Sequence, residues 1–138
     1  MEQEEKSLLI RDLCARFPYG VQTLEDLDKK FDGGVVGELA AIVPYTGKKY
    51  NIQGPLFYQK GSMTPVTIEE IRPYLRPMSS MTEAERTIYE DLIYCDGYTK
   101  FDTYDKVVDW LNSNHFDYRG LIPMGLALEA PDGMYKTE

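Results

Sequence analysis

Asp32-Gly33-Gly34-Val35-Val36-Gly37-Glu38-Leu39-Ala40-Ala41-Ile42-Val43 is the stretch on which the fold of this chain turns. An aspartate followed by two glycines offers the positive φ angles of a hairpin-type turn. The run behind it is rich in β-branched residues and too short for a typical helix. A strand over Val35–Val43 is therefore predicted. Upstream, Val21, Leu24, Leu27 and Phe31 fit a helix as well as an irregular strand, and the turn that follows favours strand. Downstream, Pro44 to Lys49 is a loop, and Tyr50-Asn51-Ile52 and Leu56-Phe57-Tyr58 are short β-prone runs broken by Gly54-Pro55. Lys60-Gly61-Ser62 turns the chain again. Met63–Val66 fits one more edge strand, and Thr67 to Ile71 reads as a single capped helical turn stopped by Pro73. Short strands between close turns remove their exposed edges by curling up. The fold class expected is thus α+β: a small, strongly bent antiparallel sheet, an SH3-like barrel, over residues 19–78.

Helices flank that sheet. Leu9, Leu13 and Phe17 fall at four-residue steps, which predicts an N-terminal helix over 7–17 with those three on its inward stripe, ended by Pro18. Thr82 and Glu85 form a capping box ahead of a helix over 83–94, with Ile88 and Leu92 inward. Asp102 or Thr103 caps a second helix to about Asn114, striped by Val107, Trp110 and Leu111. The segment from Asp117 to Leu128 holds too much glycine and proline for a long helix, and is expected to cross the domain as extended chain with a last short strand. The tail from Pro131 is expected to fray. Residues 79–130 thus form a helical and extended part of one domain spanning 1–138.

At 138 residues the chain can bury one core without staples, and its 43% hydrophobic content argues against global disorder. The start carries no signal-peptide pattern, and no apolar run approaches the roughly 20 residues that cross a bilayer, so a cytoplasmic protein without membrane association is expected. Cys14 and Cys95 have no cysteine or histidine at metal-ligand spacing beside them, and both read as small buried side chains. Neither a metal nor a cofactor is expected. Five basic and twelve acidic residues share positions 77–138, within a net charge of −8. A field of that sign repels phosphate and disfavours nucleic acid as a partner.

Three segments, Asp12 to Val21, Ile71 to Thr82, and His115 to Ile122 continuing through Gly125–Leu128, together resemble a family of small uncharacterised proteins of gut Bacteroides-type bacteria and their phages. The resemblance implies a bacterial or phage cytoplasmic setting. It implies no activity and carries no catalytic residues.

His115, the only histidine, stands two residues before Asp117 and could form an acid/base pair with it. The structural alternative is that Asp117 and Arg119 pair across a turn and hold the Gly120 segment on the core. Lys48 and Lys49, flanked by Tyr45 and Tyr50, form a basic-aromatic cluster suited to a base and a phosphate, or simply a solvated loop. Eleven tyrosines exceed what a small core needs, because each buried hydroxyl requires a partner. Tyr45, Tyr50, Tyr58, Tyr74 and Tyr118, at turns and segment ends, therefore suggest a protein-contact surface. The leading expectation is a non-enzymatic module that binds another protein. A phage-type inhibitor or nucleotide-sequestering protein, and a small enzyme using His115, are the alternatives.

Overall fold

The computed structural model describes residues 1–44, 54–94 and 100–135. Helix α1 spans Gln3–Arg16 and starts four residues earlier than the apolar periodicity suggests. Glu4 and Glu5 favour its first turn through the helix dipole, and the Glu5 carboxylate accepts from the Glu2 amide at 3.2 Å. Leu9 and Leu13 are fully buried, whereas Phe17, expected beside them, is 37% exposed. Pro18 tightens the chain into a 3-10 turn over Phe17–Tyr19, and Gly20 (φ 71°) reverses it, so the inward stripe ends one step earlier, on Arg16.

Strand β1 (Gln22–Glu25) pairs antiparallel with β2 (Val35–Val43), as the opening stretch predicts. Their connection is longer than a tight hairpin turn. Residues 26–34 fold around the Asp26 carboxylate, which accepts from the amides of Asp28, Lys30 and Phe31 at 3.0, 3.2 and 2.8 Å. Gly34 closes the loop at φ 132°, where a Cβ would lie 2.2 Å from the Glu25 carbonyl oxygen. Strand β3 (Leu56–Gln59) pairs with β2 across a bulge between Leu39 and Ala41. Of the edge strand expected over Met63–Val66, one bridge between Val66 and Phe57 forms.

Pro73 does not stop a helix, as the sequence suggested; it sits inside strand β4 (Ile71–Leu75), entered through a 3-10 turn capped by Thr67 and Glu70. The ladder explains why proline is tolerated. Asp26 donates to the Glu70 carbonyl, so alternation directs Arg72 toward β1 and the missing Pro73 N–H toward the other side. There β5 (Leu128–Glu129) joins in parallel only from Tyr74 onward. The strand order β3-β2-β1-β4-β5 makes an open, mixed five-stranded sheet. It is not closed into the expected barrel, because β3 and β5 stand at opposite edges, and its last strand comes from beyond residue 78.

Leu9 and Leu13 of α1 share one buried cluster with Leu39, Phe57, Ile71 and Leu75 of the sheet, and Leu121, Leu126 and Ala127 of the C-terminal segment close it. Each fully buried side chain of this size contributes about 1.5–3 kcal/mol. Helix α2 (Glu83–Ile93) begins at the predicted Thr82–Glu85 box, but its phase differs from the apolar reading. Glu85 points inward, Tyr89 one turn on stacks against Trp110, and Ile88 is left 46% exposed. Helix α3 (Lys100–Ser113) starts ahead of Asp102 and Thr103, which are therefore not its caps. No helix among the described residues is long and apolar enough to cross a membrane.

Candidate functional site

Two features stand out from the fold: a buried polar cluster where α1 meets the segment after α3, and an uncovered stretch of β2.

The cluster is built from α1 outward. Asp12 and Arg16, one helical turn apart on the inward face, are both fully buried, and Arg16 Nε donates to the two Asp12 oxygens at 3.0 Å each. Arg16 also donates to the Phe116 carbonyl at 2.6 Å. Arg119 donates to the same Asp12 carboxylate at 2.7 Å. Asp117 and Arg119 therefore do not pair with each other. The Asp117 oxygens accept instead from the Leu121 and Ile122 amides at 2.8 and 2.9 Å and hold the Gly120 segment on the core by that route. Tyr118 lies between the cations, 5.4 Å from Arg16 and 4.6 Å from Arg119, and its hydroxyl donates to Asn112 at 2.9 Å. Burial raises its pKa.

His115 is 4% exposed and adopts φ 60°. Its ring stacks on Tyr135 at 4.0 Å. Burial, and then the neighbouring charge of Arg16, push its pKa down to about 4, against a raising hydrogen bond with the Tyr19 backbone. It is thus a neutral ring sealed under an aromatic one. With the Asp117 carboxylate committed to two amides, the His115–Asp117 acid/base pair does not form.

The Tyr135 hydroxyl does structural work that the expected frayed tail could not. Beyond Thr23 and Pro73 the strands β1 and β4 separate, and the next rung joins Gln22 to Tyr74 through that hydroxyl: the Gln22 amide donates to it at 2.8 Å, and it donates to the Tyr74 carbonyl at 2.8 Å. Burial raises the Tyr135 pKa. Next to it, a cleft of about 340 Å³ is lined by Arg76, Ser80, Thr82, Glu129, Asp132 and Tyr135 among others. Arg76 grips both Glu85 oxygens at 2.7 Å, which holds the Glu85 carboxyl below its ordinary range.

Of the residues singled out in the sequence, the fold brings His115, Tyr118 and Arg119 into this cluster, with Asp117 beside them. Tyr74 touches it through its carbonyl. Tyr58, on β3, lies three strands away from β4 and joins none of this. Tyr45, Lys48, Lys49, Tyr50 and Cys95 lie outside the described residues. Cys14, expected to be buried, is exposed. Asp12, Arg16, Arg76, Glu85 and Tyr135 were not anticipated; the Asp12/Arg16 spacing of four on the stripe of Leu9 and Leu13 was the available signal. Among the described residues no group of three histidine, cysteine, aspartate or glutamate side chains gathers as a metal-binding set.

The second feature follows from the ladder. Leu39 donates to the Val21 carbonyl, so Val35, Gly37 and Leu39 direct their backbone groups at β1, and Val36 and Glu38 direct theirs away. The Glu38 carbonyl is met by the Lys60 amide, where β3 ends. Among the described residues no strand pairs with β2 on that side at Val36. Val35 and Val36 are 63% and 52% exposed, and Leu27 in the adjoining loop is 66% exposed. Gln59 braces this end from the face of the sheet, donating to the Val35 carbonyl at 2.8 Å and to Thr23 Oγ1 at 3.1 Å.

Comparison of the chain with protein-family models, with curated proteins and with solved structures finds no match.

Proposed function

We propose that this chain is a non-enzymatic binding module that takes an extended segment of another protein as an added strand along the edge of β2. Val36 carries the reading. Its amide and carbonyl point away from β1, its side chain and that of Val35 are exposed, and an unpaired edge flanked by apolar side chains is a template for strand addition. The buried charges support the same reading, because Asp12, Arg16, Asp117 and Glu85 are committed to contacts that hold the fold. The resemblance of three segments to small bacterial and phage proteins favours a cytoplasmic partner.

Selection from a displayed peptide library tests the proposal. The wild-type protein enriches extended, apolar sequences, and Val36→Pro, which removes the outward N–H and spares the β1 ladder, loses them at least tenfold while retaining its circular dichroism. Peptides that bind the proline variant equally well, or a wild-type selection that enriches nothing, overturn it.

A further inference from the structure

Three large cations are buried among the described residues, and two of them hold a carboxylate: Arg16 holds Asp12 and Arg76 holds Glu85. Arg72 does not. Its Nη1 donates to the carbonyls of Ile68 and Ile71 at 3.1 and 2.7 Å, its shielded Nε has no acceptor, and no carboxylate of the described residues lies within ion-pair distance. A desolvated guanidinium without a hydrogen-bonded carboxylate is unfavourable, and burial lowers the Arg72 pKa against the more distant charges of Glu5 and Glu69. With Nη1 committed to backbone, the unspent part is the Nε edge, the side of the planar fork that grips a carboxylate through two parallel hydrogen bonds.

What covers the guanidinium is itself unusual. The Phe31 ring lies over it at 4.5 Å, and Phe31 and Lys29, neither a glycine, adopt the left-handed region at φ 55° and 63°. Such conformations persist only when the surroundings enforce them, and they cluster at ligand clamps. Here the enforcing group is Asp26, which bonds the Phe31 amide at 2.8 Å. An unsatisfied cationic fork thus lies beneath an aromatic ring carried on a strained, pinned loop.

We propose that Arg72 anchors a carboxylate-binding site over which Phe31 closes. A carboxylate fits better than a phosphate. Glu5 and Glu69 already act on Arg72 through space, and the nearby Lys6 and Lys29 pair with Glu69, so a doubly charged ligand is opposed more strongly than a single carboxylate. The ligand is a free organic acid or an acidic side chain of a peptide, which share this chemistry.

The test follows the Arg72 Nε–Hε resonance by NMR at constant ionic strength during titration with acetate, with a blocked Gly-Glu-Gly peptide and with inorganic phosphate. Acetate or the peptide shifts the resonance saturably. A peptide at least tenfold tighter than acetate identifies a protein-borne carboxylate, and equal affinities identify a free acid; both support the site. Phe31→Gly, which relieves the backbone and removes the cover, tightens acetate binding several-fold. Arg72→Lys, which keeps the charge without the fork, abolishes it while thermal melting shows a folded protein. An unmoved resonance in both wild type and Phe31→Gly, binding retained by Arg72→Lys, or phosphate binding as tightly as acetate overturns the proposal.

Discussion

Acidification is predicted to destabilise this protein through His115, ahead of the carboxylates that the fold holds below their ordinary values. The folded-state pKa is depressed from 6.5 to about 4, chiefly because burial desolvates the charged ring and then because the charges of Arg16 and Arg76 lie near it. The unfolded chain takes up the proton at about 6.5 and the folded chain resists it to about 4. The stability conferred by the neutral ring is therefore complete above pH 6.5 and is lost as pH falls through that window. At 1.36 kcal/mol per unit, the full loss is about 3 kcal/mol, of which about 2 kcal/mol appears between pH 6.5 and 5. Asp26, Glu69 and Glu85 are held below their ordinary values and add their own losses only at lower pH, so the upper window belongs to His115. The assay is urea unfolding from pH 7.5 to 5 on the wild type and on His115→Asn, since asparagine tolerates the φ of 60° but does not titrate. Subtracting the two curves removes every group the proteins share, including Glu25, whose raised pKa acts in the opposite direction. Parallel curves that differ in slope by less than about 0.5 kcal/mol over this range would refute the burial argument.

Gly37→Ala places a Cβ 2.9 Å from Gln59 Cδ and Oε1, and chemical denaturation is expected to show a loss of about 1–3 kcal/mol that a second change, Gln59→Ala, largely relieves. Tyr135→Phe removes the hydroxyl that joins Gln22 to Tyr74 and is expected to lower stability by about 1–2 kcal/mol, with faster amide exchange at Gln22. Asp12→Asn leaves Arg16 buried beside Arg119 without their shared counter-charge, and a loss of about 3–5 kcal/mol in the same denaturation experiment is expected.

What was legible in the sequence was local. The β-branched run at Val35–Val43, the Thr82–Glu85 box and the capped turn that begins at Thr67 each declare themselves within a few residues, and each forms. Pro73 misled because its tolerance depends on the direction of an absent N–H, which only the pairing of Asp26 with Glu70 and of Tyr74 with Leu128 determines. The helix stripe misled at Arg16, since a buried arginine is acceptable only once Asp12 and the Phe116 carbonyl, 100 residues on, are in place. Ile88 looked inward by hydropathy, but the Arg76–Glu85 pair sets the rotation of α2. Tyr135 carried no signal, because its role is to bridge a gap between two strands distant in sequence. The open edge at Val36 was likewise invisible: where β3 ends relative to β2 depends on the bulge between Leu39 and Ala41, and no periodicity encodes it.

Amide hydrogen exchange at Val36, measured with and without a peptide selected on the wild-type protein, addresses strand addition at β2 most directly. The Val36 amide should exchange freely in the unliganded protein and slow at least tenfold in the complex, while Gly37, already bonded within the β1 ladder, stays as protected as before. Protection at Val36 that is already complete without peptide, or a bound peptide that leaves it unprotected, would contradict the account.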